Sequence, residues 1–276
     1  MTYASLMVSV LLGRSNRHAL QVTGGLAERF GSGVIGVGAC RPIQAVCSDY
    51  SLPAKLFDED RKQIAKELQA AEAEFRAALQ HRTSRLEWHP GTTMSLLADH
   101  LAHEARSADL IVVGFDSKVT GLDTTRHVDI CDLVMQAGRP VLVVPQAAAD
   151  CKFDRVLIGW KDTREAQRVI ADALPLLAKA AEVTVAGIVA KEELTAIRTQ
   201  LSEVAGWLKH HGIDAQVVAT ASRGTHANDL SAIADELRAD LVVAGAYGYR
   251  RQREWVLGGV TSALLQCTDR CSFLSH

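Results

Sequence analysis

The sequence predicts an α/β protein made of two tandem Rossmann-like, doubly wound modules, each a five-stranded parallel sheet flanked by helices. Three observations carry this. The stretch Ala108-Asp109-Leu110-Ile111-Val112-Val113-Gly114 recurs as Ala239-Asp240-Leu241-Val242-Val243-Ala244-Gly245 at an offset of 131 residues. Holding that offset brings the ends of the two halves into line, pairing Arg139 with Arg270 and residues 141–144 with 272–275. Short apolar runs alternate with longer stretches of helical period, the pattern of a parallel sheet covered by helices. Both halves also open alike, on an apolar run, a polar turn and a helical stretch rich in Ala and Leu, so duplication is the economical explanation.

In the N-terminal half, strands are expected near 5–12, 34–39, 84–88, 110–114 and 141–144. Its most obvious helix covers 58–82, with Lys66, Glu67, Glu72, Glu74 and Arg76 on a solvated face. In the C-terminal half, strands are expected near 155–160, 182–189, 215–220, 241–246 and 272–274. Helices fill the gaps at 163–180, 192–210, 226–237 and 258–267, with Thr163 ahead of Glu165 and Ala166 starting the first and Asn228-Asp229 starting the third. Pro145 ends a strand-like run and the seam follows at 146–154, giving modules over residues 1–148 and 152–276. Right-handed crossovers between parallel strands make doubly wound sheets, which bind ligands at the carboxyl ends of the strands where the strand order reverses.

Composition narrows the function classes. Thirty Lys and Arg against 32 Asp and Glu leave a net charge of −2, so there is no overall electrostatic footprint for nucleic acid or an anionic membrane, and neither is an expected partner. No stretch approaches the ~20 apolar residues that span a bilayer, and a cytoplasmic protein is expected. The six cysteines, Cys40, Cys47, Cys131, Cys151, Cys267 and Cys271, form no CxxC pair, which argues against a disulfide framework or a zinc ribbon. Cys267 is expected to face a helix core and Cys271 to sit in the last strand. His100 with His103, and His210 with His211, lack an acidic or thiol partner at a metal-ligand spacing. The chain has no GxSxG, GxxxxGK[ST] or HExxH motif, and no catalytic residue or metal ligand is assigned.

The segment after the fourth strand of the C-terminal half stands out. Gly245 and Gly248 would let the backbone approach an anion as the chain leaves the strand. Gly258 and Gly259 fall at the start of the last helix, where free N–H groups and the helix dipole favour a phosphate, and Thr261 adds a hydroxyl. At the 131 offset the N-terminal half keeps Gly114 but has Ser117, His127 and Val128 in place of the other three glycines.

These residues resemble the universal stress protein family in its tandem two-domain form. Its nucleotide-binding members carry G-2x-G-9x-G-[S/T] between the fourth strand and the fourth helix, and Gly245, Gly248 and Gly258 match that spacing. Gly259 stands where the family has Ser or Thr. Val260 and Thr261 match the positions that follow, and Tyr247 takes a place close to the nucleotide. The family's first strand ends in Val-Asp-Gly-Ser; here the stretch is Trp160-Lys161-Asp162-Thr163, with the acid displaced by one residue and Lys161, a phosphate contact or a solvated side chain, in its register. Ile188 or its neighbour would read the adenine edge through the backbone, and Trp160 would pack beside the base or in the core.

The resemblance implies ATP, or ADP or AMP, in the C-terminal module, with Mg²⁺ left open, and a regulatory role in the stress response. It implies a degenerate N-terminal module whose first-strand loop, Leu11-Leu12-Gly13-Arg14-Ser15, also lacks the acid. Two modules would pair within the chain through residues 141–144 and 272–274, and homodimerisation is a further option. The alternatives are a slow ATP hydrolase using Lys161, Asp162 or Thr261, disfavoured because no general base stands near the loop, and a nucleotide-independent scaffold or interaction protein.

Overall fold

The computed structural model of the chain describes residues 2–45, 54–115, 125–146, 152–246 and 259–276. They group into two compact units, Thr2–Gln146 and Ala147–His276. Among the described residues no helix is long and apolar enough to cross a membrane.

The first unit runs β1 (Ser5–Ser9), α1 (Arg17–Phe30), β2 (Gly33–Cys40), α2 (Ala54–Leu79), β3 (Leu86–Thr92), α3 (Leu97–Glu104), β4 (Leu110–Phe115), α4 (Ile130–Gln136) and β5 (Val141–Pro145). Its strands are parallel and lie in the order β3-β2-β1-β4-β5. The central strands have no polar face because helices cover both sides, and Leu6, Met7, Val8, Ile111, Val112, Leu142 and Val143 are all buried. Each such side chain contributes about 1.5–3 kcal/mol by leaving water, more than the few tenths that separate most residues in secondary-structure preference, so packing sets the strands. Gly31 closes α1 in the left-handed region, φ 68°, where a side chain would be strained.

The second unit repeats the plan with β6 (Arg155–Trp160), α5 (Arg164–Leu177), β7 (Glu182–Val189), α6 (Leu194–His210), β8 (Ala215–Ala221), α7 (His226–Glu236), β9 (Leu241–Gly245), α8 (Val260–Gln266) and β10 (Cys271–Ser275). Its parallel strands lie in the order β8-β7-β6-β9-β10. The strand order reverses between β1 and β4 in one unit and between β6 and β9 in the other.

The acid of the repeated Ala-Asp-Leu stretch has the same structural task in both copies. Asp109 Oδ2 accepts the Ala4 and Ser5 amides, at 2.7 and 3.0 Å, and Asp240 accepts those of Asp154 and Arg155, at 3.0 and 3.1 Å. Each carboxylate thereby fixes the entry into the strand beside its own, and burial pushes the Asp240 carboxyl up despite the two amides.

Several sequence expectations are corrected in detail. β1 stops at Ser9 rather than running to residue 12, because Asn16 holds Leu11 through both its amide and its carbonyl and the chain turns at Gly13, φ 70°. β3 continues to Thr92 through Pro90 and pairs only with β2 among the strands of its unit, so the missing proline N–H costs no ladder bond on the other side. α2 covers Ala54–Leu79 instead of 58–82, and Glu67 and Glu74 turn inward rather than lying on a solvated face. α7 is capped by Thr225, whose hydroxyl accepts the Asn228 amide, so Asn228 and Asp229 lie inside the helix they were expected to start. Cys267 is the residue after α8, not part of a helix core; its thiol donates to Asp269 Oδ1 at 2.8 Å.

Candidate functional site

The reversal of strand order in the second unit places three chain segments at one carboxyl edge. They are the turn after β6, the end of β7, and the segment that leaves β9. Of the residues singled out in the sequence, Trp160, Lys161, Asp162, Thr163, Ile188, Gly245, Gly259, Val260 and Thr261 are described. Tyr247, Gly248 and Gly258 lie outside the described residues, as does Ser117 of the first unit.

The turn after β6 is short. Thr163 N–H donates to the Lys161 carbonyl at 2.7 Å, and the Thr163 hydroxyl then accepts the Ala166 amide at 3.3 Å, so one residue ends the turn and caps α5. Lys161 and Asp162, on the turn itself, are exposed. Behind them Glu165 is buried and takes the Arg164 guanidinium at 2.9 Å. Burial works against its charge, but the bonds from Arg164, its own backbone and Thr163 outweigh that and hold its carboxyl below the usual range. The first turn of α5 is thus fixed by a buried acid that the sequence reading did not single out. In the sequence the Thr-Arg-Glu run marks a helix start and carries no sign of the burial of Glu165.

Gly245 ends β9 against that same turn. A Cβ there would lie 2.7 Å from Ala166 N, 2.7 Å from the Glu165 carbonyl carbon and 2.9 Å from its oxygen, all backbone atoms. Glycine is therefore required for helix and strand to meet, whatever else the position does. Among the described residues a Cβ on Gly114, its counterpart, would meet the Ala19 Cβ at 3.6 Å, an ordinary contact.

The end of β7 overhangs its neighbour. The β6–β7 ladder stops at Trp160 opposite Gly187, whereas the β7–β8 ladder continues to Val189 opposite Ala221. Ile188 and Val189 thus extend past the last residue of β6 and present backbone at the carboxyl edge on that side. Trp160, the last residue of β6, is half-buried, and its indole Nε1 is buried with no hydrogen-bond partner among the described residues. A buried N–H without an acceptor costs about 1–3 kcal/mol, and such orphan donors call for an explanation.

Of the segment between β9 and α8, Ala246 and Gly259 are described. Ala246 N–H donates to the Ser275 carbonyl at 2.9 Å, and the His276 Nδ1 bonds the Ala246 carbonyl at 3.0 Å, which makes Nδ1 the protonated nitrogen. Nothing in the sequence pattern signalled His276. At the other end Gly259 is the cap residue of α8 in extended conformation, φ −67° and ψ 169°, followed by half-buried Val260 and buried Thr261.

Two of the four histidines considered as metal candidates have other contacts. His103 bonds Arg106 at 2.7 Å, and His211 packs its ring on Trp207 at 4.5 Å. Among the described residues no group of three or more His, Cys, Asp or Glu is placed to hold a metal ion.

No protein-family model and no curated protein matches the chain. Solved structures do share its fold. A universal stress protein from Archaeoglobus fulgidus DSM 4304 superposes with a TM-score of 0.74 at 15% identity, over 98% of this chain and 95% of that one. A functionally unknown protein from Pseudomonas aeruginosa PAO1 does so with a TM-score of 0.62 at 13% identity, over 99% of this chain and 92% of that one. At such identities the likeness establishes the fold, and it runs through both units.

Proposed function

We propose that the chain is a tandem universal stress protein, regulatory rather than catalytic, whose C-terminal module binds ATP, ADP or AMP at the carboxyl edge of β6, β7 and β9. One observation carries this reading. Where the strand order reverses, the place at which open α/β sheets take their ligands, the described edge has an overhanging β7 end, an indole N–H without a partner among the described residues, and Gly245 at the end of β9. Ile188 and Val189 would read the adenine edge through backbone groups. Trp160 would lie beside the base. Gly245, Tyr247, Gly248, Gly258 and Gly259 would line the phosphates, with Val260 and Thr261 behind them. Lys161 and Asp162, exposed on the turn, are free to meet ribose or phosphate. Mg²⁺ would arrive on the nucleotide phosphates, because the described residues offer no cluster of their own. A reducing, cytoplasmic setting would keep Cys40, buried, and Cys267, bonded to Asp269, as thiols.

Mass spectrometry of nucleotide released from the denatured protein, with titration calorimetry for ATP, ADP and AMP, tests the proposal. Binding near one nucleotide per chain, lost in Gly248→Val and in Gly258→Val, is the expected result. No binding at millimolar nucleotide overturns it. Mg²⁺-dependent phosphate release that disappears in Asp162→Asn would identify a hydrolase instead.

A further inference from the structure

The N-terminal module has the same strand order and the same three loops at its carboxyl edge, and there its own side chains bridge them. Asp60, Glu67 and Glu74 recur at seven-residue spacing along α2, which puts all three on one helix face. Each reaches a different loop. Glu74 accepts the Asn16 backbone amide at 2.8 Å and its Nδ2 at 2.9 Å, just before α1. Glu67 takes Arg126 Nε at 2.9 Å, on the segment that precedes α4, and its Oε1 lies 3.6 Å from where a Cβ of Gly13 would stand. Asp60 accepts the Ile43 amide at 2.9 Å beyond the end of β2, and lies 3.7 Å from Arg126 Nη2.

Arg126 completes the bridge by donating through Nη1 to the Arg41 carbonyl at 3.1 Å, while the Arg41 amide donates to the Thr125 carbonyl at 2.8 Å. The cluster is well shielded, with Arg126, Glu67 and Asp60 side chains 14%, 16% and 8% exposed. Burial works against the Arg126 charge, yet its bond to Glu67 and the nearby acids hold the guanidinium above its usual range. The second module has no such bridge among its described residues. The side-chain hydrogen bonds of α6, Thr199 to Thr195 and Ser202 to Arg198, stay within the helix. α2 packs on α1 and β2, whereas α6 packs on β8 and β7.

We infer that the N-terminal module is self-liganded: the Arg126–Glu67–Asp60 cluster, with Glu74 on Asn16, holds together the described ends of the three loops at the carboxyl edge of its own sheet. The module keeps one closed arrangement without any bound molecule. This stands on the first unit alone and does not require nucleotide binding by the second.

Amide hydrogen exchange read residue by residue on the full chain tests it, with the β9 and β10 amides as internal reference. In Glu67→Gln, which keeps the shape and removes the charge, the Arg41 amide exchanges at least about tenfold faster while the reference amides do not change. In Arg126→Gln the same amide responds at least as strongly. In Glu74→Gln the effect moves to the Leu11 amide, which Asn16 holds at 2.7 Å. If Arg126→Gln does not fold, the two glutamate variants carry the test. Exchange at Arg41 and Leu11 within about twofold of the parent in both glutamate variants overturns the inference, as does a uniform rise across every amide of the unit, which would mark general destabilisation.

Discussion

Gly245→Ala and Gly114→Ala exchange the same hydrogen for the same methyl at equivalent positions of the repeat, and the two sites differ in what that methyl meets. At Gly114 the methyl finds the Ala19 Cβ at 3.6 Å and fits. Relief of backbone freedom in the unfolded chain then makes the change neutral or stabilising by up to about 1 kcal/mol. At Gly245 three backbone atoms of Glu165 and Ala166 lie within 3.0 Å of the new methyl. Real contacts of this kind sit near 3.5–4.0 Å, so helix and strand must separate by several tenths of an ångström. The Thr163 cap and the Arg164–Glu165 bond, at 3.3 and 2.9 Å, hold the turn where it is and resist that movement. Overpacking of this kind costs about 1–3 kcal/mol, and a site walled by backbone belongs in the upper half of that range. A loss near 2 kcal/mol corresponds to a shift of the second unit's melting midpoint by roughly 6–10 °C. Denaturation followed by tryptophan emission reads this, because Trp160, Trp207 and Trp255 belong to the C-terminal half of the sequence and Trp88 to the N-terminal half. Equal effects of the two substitutions, or a stabilising Gly245→Ala, would refute the packing argument.

Other outcomes follow from named contacts. Thr163→Ala removes the cap of α5 and should lower the stability of the second unit by about 1 kcal/mol in urea titration, with Thr163→Ser restoring most of it. Asp240→Ala leaves the Asp154 and Arg155 amides without their acceptor at the entry of β6 and should cost about 1–3 kcal/mol, and Asp109→Ala should do the same in the first unit. Asp269 bonds the Arg270 guanidinium, which holds its carboxyl down to about 2 from an ordinary 3.8. A lowered acid stabilises above its unfolded value and loses that contribution as the pH falls through the folded one. Denaturation curves should therefore show a loss between about pH 4 and pH 2 that is smaller in Asp269→Asn, and the effect is modest because that carboxylate is 63% exposed.

The order of helices and strands was legible because buried parallel strands are continuous apolar runs, and packing acts on such runs more strongly than local preference does. Boundaries failed where a single side chain decides them. Asn16 ends β1 from seven residues beyond Ser9, and no propensity at residues 10–12 anticipates that. Thr225 caps α7 in place of Asn228-Asp229, since the residue that accepts the free amide must stand three positions ahead of it. The carboxylates of α2 were misread for a different reason. A helix with charges on many sides looks solvated in one dimension, and the seven-residue spacing of Asp60, Glu67 and Glu74 acquires meaning only once Arg126 and Asn16 are known to face it. At the candidate site the glycine spacing was visible, whereas Glu165 and His276 act through contacts that lie far apart in sequence or behind the turn.

The two copies together separate what the fold demands from what a site demands. Asp109 and Asp240 are the same residue in the same place doing the same task, so the fold keeps them. Gly114 and Gly245 are also the same residue, but only the second is required by its surroundings, since only there does a helix backbone lie against it. A closer approach of α5 to β9 draws the capped turn of Lys161, Asp162 and Thr163 up to the strand end from which the glycine-spaced segment departs. In the first copy the corresponding contact is looser, and the edge is held instead by α2, which leans toward α1 and brings its acids across the loops. Each module therefore has its own means of fixing the carboxyl edge of its sheet. One draws a helix start tightly onto a strand; the other ties its loops together with an internal ion cluster. The proposal of a single nucleotide per chain looks to the second module because the first has Ser117, His127 and Val128 where the second has Gly248, Gly258 and Gly259.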